Sequence, residues 1–177
     1  MDSAQSQLIF DPSIQFGLRL VKLPSALHFH GLETTTTKKN LFKDAASLAR
    51  EFGERGSTIE TGRLTDAYCA VTFQPNEAGE IRYFLGRQTN KNAEQSGLVH
   101  LVLEPGLYAN LKVRSRPGWY LPYRLAKVRQ GFHQKYLPGS PYKQSELIDE
   151  IEYYNAESRL KYFEKPAMYL LYPLQTK

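Results

Sequence analysis

The chain has 177 residues, 41% hydrophobic and 23% charged, which suits one compact domain or two fused half-domains with a real core. Its 23 Lys and Arg outweigh 18 Asp and Glu, a net charge of +5. No stretch approaches the roughly 20 apolar residues of a bilayer span, the first residues lack a secretory pattern, and a single cysteine excludes an internal disulfide or cysteine zinc cluster. Ten of the 12 tyrosines lie from Tyr108 onward.

In chain order, residues 1–15 read as a loose terminal arm. Leu23-Pro24 leads into a strand over Leu27–Leu32, followed by a polar Thr/Lys run. A helix is expected from Asn40, a good N-cap, to Phe52, where Gly53 and Gly56 stop it. Its stripe is Leu41, Ala45, Leu48 and Phe52. Strands over Leu64–Phe73 and Ile81–Gly86 flank the turn Gln74–Gly79, a hairpin by its turn chemistry. Residues 90–97 are polar and fit a linker.

The second half repeats this plan after about 80 residues. Glu104-Pro105 leads into Leu107–Leu111, and a second helix is expected after Pro117-Gly118, ending near Tyr136 before Pro138. Shifted by 80, its stripe is Leu121, Leu125, Val128 and Phe132. Ile148–Tyr154 and Ala167–Leu174 form a second hairpin. Each half reads as βαββ: residues 16–89 and 98–177, joined by the linker into one compact domain. The expected fold is α+β: duplicated βαββ units forming an antiparallel sheet system, two helices on one face and a ligand groove between the repeats.

Chemistry-bearing motifs are sparse. No phosphate-cradling glycine loop or nucleophile elbow is present, and no cofactor is expected. His28 and His30 share a strand face but lack further ligands for a metal; His100 and His133 stand isolated. Cys69 sits mid-strand, where a thiol packs as a hydrophobe. Glu150 and Glu152 project to one strand face and Asp149 to the other, beside Tyr153, Tyr154, Tyr169 and Tyr172. Rings interleaved with carboxylates suit flat apolar or cationic ligands, with Trp119 and Tyr120 as a rim. From Pro105 to Ser145 there is no acid, while Lys112, Arg114, Arg116, Arg124, Lys127, Arg129, Lys135 and Lys143 fall there. That basic stretch is either a nucleic-acid face or solvated flanks.

Several runs together resemble the GyrI-like family, the bacterial transcription activator effector-binding domain. They are Leu103–Ala109, Tyr136–Tyr142, Ile151–Tyr154 and Leu171–Leu174, with Asp66-Ala67-Tyr68 and Arg82–Gly86 in the first half. The resemblance covers about residues 16 to 174. It implies a ligand groove between βαββ repeats, and ligands that are hydrophobic and often cationic. Members are fused to DNA-binding domains, stand alone, bind gyrase or hydrolyse strained toxins; this chain reads as a stand-alone, cytoplasmic version that senses or sequesters its ligand. The pocket positions it implies are Tyr68, Tyr108, Trp119, Tyr153 and Tyr169, with Glu152 as charge partner and as the one weak catalytic candidate. The family's last strand commonly carries an acid four positions before its Pro; Tyr169 stands there. The alternatives are a hydrolase, or a protein or nucleic-acid interaction module using the basic 112–135 surface.

Overall fold

A computed structural model describes residues 6–7, 17–55, 63–90, 97–114, 120–155, 158 and 167–177. Among them the order is β1 (Ser6–Gln7), β2 (Leu18–Leu23), β3 (Leu27–Thr37), α1 (Leu41–Arg55), β4 (Arg63–Phe73), β5 (Glu80–Thr89), β6 (Val99–Leu103), β7 (Gly106–Arg114), α2 (Tyr120–Gly131), β8 (Tyr142–Gln144), β9 (Ile148–Tyr154) and β10 (Ala167–Thr176). The α+β class, with antiparallel strands and a helix from each half, is as expected. Ser6–Gln7 of the supposed loose arm pairs with Leu20 and Val21.

The chain forms two compact units. Unit 1 comprises Met1–Pro24, Pro105–Ser145 and Glu152–Lys177. Its strand order is β1-β2-β7-β10, with β8 also on β10 and the last residues of β9 beside it. Unit 2 comprises Ser25–Glu104 and Glu146–Ile151, and its strands run β4-β5-β3-β6 with the first residues of β9 beside β4. Each unit therefore takes an outer strand from the other half of the sequence. β2 pairs with β7 in the register Leu20↔Ala109, and β6 pairs with β3 in the register His30↔His100.

The helical stripes become cores. In unit 2, Leu48 and Phe52 of α1 pack on Leu32, Ala70 and Leu85, which sit in register on β3, β4 and β5. In unit 1, Val128 and Phe132 pack on Leu18, Leu20, Ala109, Leu111, Val113, Met168, Leu170, Tyr172 and Leu174. The 80-residue correspondence thus holds where it matters, at Leu48/Val128 and Phe52/Phe132.

The helix ends differ from the sequence reading. Asn40 lies at the start as expected, its carbonyl accepting from the Asp44 amide at 3.0 Å. Asp44, in the first turn, accepts from Thr36 Oγ1 at 2.5 Å, a negative charge where the helix dipole favours one. Gly53 does not stop α1. One interior glycine costs only about 1 kcal/mol, and the helix runs on to Arg55, whose guanidinium meets Glu51 at 2.9 Å. The second helix passes Tyr136 and Pro138: α2 is followed by a π-helical turn, Phe132–Tyr136, and a helical turn, Leu137–Gly139.

Candidate functional site

In unit 1 the core side chains of β7 are Ala109, Leu111 and Val113, and those of β10 are Met168, Leu170, Tyr172 and Leu174. Strand alternation turns their neighbours to the face away from α2. That face carries Tyr108, Asn110 and Lys112 on β7 and Tyr169, Leu171 and Pro173 on β10, paired Tyr108↔Pro173, Asn110↔Leu171 and Lys112↔Tyr169. On its other side β7 meets β2, which sets Val21 against Tyr108 and Arg19 against Asn110. Tyr153 falls on the same face, because Tyr154 packs against the α2 core. Tyr108 is buried, and Tyr153 and Tyr169 are half-buried. Lys112 Nζ lies 5.3 Å from the centroid of the Tyr169 ring.

Three of the six site residues read from the sequence, Tyr108, Tyr153 and Tyr169, thus share one face. Glu152 lies on the opposite, helix side, where Arg129 donates to one carboxylate oxygen at 2.9 Å and the Tyr154 hydroxyl to the other at 2.6 Å. Tyr68 belongs to unit 2. It is in register with Arg87 and shares the parity of Ala70, placing it on the α1 side of that sheet, where it is 37% exposed. Trp119 lies outside the described residues.

Not every tyrosine of the second half lines this face. Tyr172 is fully buried and stacks on Phe132 at 4.1 Å between centroids, Tyr136 is buried in the same cluster, and Tyr142 and Tyr154 pack against it. The tyrosine excess therefore builds one core as well as one surface. The basic stretch divides likewise: Arg129 reaches toward Glu152 on the helix side, and Lys112 lies against Tyr169 on the other.

Unit 2 gathers three histidines. His28 Nδ1 and His100 Nε2 are 3.1 Å apart, and the rings of His30 and His100 stack at 4.5 Å. His30, buried, is hydrogen-bonded through Nδ1 to Thr89 Oγ1 at 2.7 Å. His100 reads as isolated in the sequence because its partners lie on β3, and only the β3–β6 register reveals them. Among the described residues no group of three His, Cys, Asp or Glu can hold a metal ion. Burial pushes the Cys69 thiol well up from its ordinary value, away from nucleophilic service. Glu150 is buried, and Asp149 accepts from Gln74 Nε2 at 3.2 Å.

The family model of the integron-associated effector binding protein matches residues 19–171, and the chain belongs to that family. It is similar in fold to a putative bacterial transcription regulation protein from Staphylococcus aureus MU50, at 12% identity over 92% of this chain and 99% of that one, with a TM-score of 0.67. SAV2435, in a structure bound to tetraphenylphosphonium, matches at 13% identity over 89% of this chain and 93% of that one, TM-score 0.69. An integron cassette protein from the mobile metagenome of Vibrio cholerae matches at 13% identity over 91% and 97%, TM-score 0.57. No curated protein matches the chain. The GyrI-like resemblance is thereby borne out at the level of family and fold. Among the described residues no helix is long and apolar enough to cross a membrane.

Proposed function

We propose that this protein binds an aromatic small molecule on the unit 1 face that carries Tyr108, Tyr153 and Tyr169, acting in the cytoplasm as a sensor or a sequestering protein. The observation that supports it most is the convergence of those three tyrosines on the sheet face turned away from α2. Stacking on a half-buried ring, Tyr153 or Tyr169, adds roughly 0.5–1.5 kcal/mol beyond burial. The tetraphenylphosphonium bound to SAV2435, a protein similar in fold, supports a small-molecule role. Glu152, the one catalytic candidate of the hydrolase reading, lies on the helix side of the sheet, away from that face, with Arg129 and Tyr154.

A thermal-shift screen of planar dyes, followed by fluorescence titration of the hits, tests this reading. Tyr169→Ala should weaken a hit by about two- to tenfold, the equivalent of one lost stacking contact. Dyes that bind wild type and the Tyr153→Ala and Tyr169→Ala variants equally well would place the ligand elsewhere.

A further inference from the structure

Asn110 sits at the middle of the face just described, flanked in register by Arg19 on β2 and Leu171 on β10. Its side-chain oxygen Oδ1 is buried and has no hydrogen-bond partner. A buried acceptor left without a donor is costly, so structures rarely keep one without a use. One pair further along both strands, Tyr169 faces Lys112, whose ammonium lies against the aromatic ring. A tyrosine ring is what a cationic ligand would seek, and here the chain's own lysine already stands at it. Arg19 and Arg114 add positive charge to the same β2–β7 face, both exposed. Glu152 is the only carboxylate side chain among the described residues of unit 1, and it lies on the opposite side with Arg129.

We propose that the ligand is an uncharged aromatic molecule bearing an O–H or N–H donor, which stacks on the tyrosines and donates to Asn110 Oδ1. This rests on the proposed function and adds the ligand's chemical class to it. The unfilled acceptor supplies selectivity for the donor, because an analogue without one leaves Oδ1 as it stands in the free protein. Lys112 and its neighbours supply selectivity against cations.

The test compares naphthol with its methyl ether, which has the same rings and no donor, and with tetraphenylphosphonium, a cation without a donor. Fluorescence titration of wild type should rank naphthol about tenfold or more above the ether, with tetraphenylphosphonium weakest. Asn110→Leu should bring naphthol down to the ether's affinity while leaving the ether unchanged, and should raise the midpoint of thermal unfolding by removing the orphaned acceptor. Lys112→Met, which leaves Asn110 intact, should tighten tetraphenylphosphonium several-fold and naphthol little. Equal binding of naphthol and its ether to wild type overturns the role of Asn110 while leaving aromatic binding at this face intact. Preference for tetraphenylphosphonium in wild type overturns the charge selectivity. Binding of none of the three overturns this inference together with the function on which it rests.

Discussion

At the residue scale, Gly31 and Gly86 show what close backbone approach demands. They face each other across β3 and β5, and a Cβ built on Gly31 would land on the Leu85 carbonyl oxygen and the Gly86 Cα. Backbone atoms cannot swing aside as a side-chain tip can, so Gly31→Ala should cost at least about 1–3 kcal/mol, read as a lower urea midpoint. Gly53→Ala is the control: a Cβ there meets nothing, and in a helix interior the change should stabilise by roughly 0.5–1 kcal/mol. The sequence marks neither glycine as special, because a tight sheet contact depends on a partner strand some 55 positions away. Cys69 is different. A thiol alternating with apolar neighbours in a strand is legible as core, and it is fully buried.

At the element scale, the two helices were readable because a period of 3.6 with four apolar positions is a local signal. The π-helical turn at Phe132–Tyr136 has no such signal; it lies where Phe132 stacks between Tyr136 and Tyr172, the latter on β10. The histidine cluster is likewise a product of strand pairing. His30 is held below its ordinary value of 6.5, first by burial and then by the positive charge of His100 and His28. The folded protein therefore binds this proton less readily than the unfolded chain does. As pH falls through about 6.5 the unfolded chain protonates first, so stability is full above that value and declines below it. Urea midpoints should fall between about pH 7 and about pH 5, and His30→Asn should flatten that fall. A slope unchanged by the variant would show that the acid sensitivity lies elsewhere.

At the scale of the whole molecule, the βαββ repeat, the hairpins and the family were legible, because they rest on order and spacing along the chain. The partition of strands between units was not. Pairing β2 with β7, and β6 with β3, is a long-range choice that an internal repeat leaves open. The same choice explains why only part of the candidate site falls on one face. Tyr108 and Tyr169 share a face, four positions apart in register, because β7 and β10 pair, while Glu152, one position from Tyr153, is turned to the other side by strand alternation. Fragments 1–97 and 98–177, made separately, should each fail to show a cooperative unfolding transition by circular dichroism, and should regain one on mixing. The second fragment lacks Leu18 and Leu20 of the unit 1 core, and the first lacks the fully buried Leu103 and Ile151. A cooperative transition in either fragment alone would show that its borrowed strand is dispensable.

The chain passes between its two units four times, at 24/25, 104/105, 145/146 and 151/152. A recombination event inside the 90–97 segment would therefore not exchange one intact unit for another. It would set β2 from one parent against β7 from the other, and β3 against a foreign β6. Such a chimera inherits mismatched seams in both units at once. Gene shuffling at the obvious joint between the repeats is thus penalised, and the duplicated pair is expected to descend as a single heritable piece.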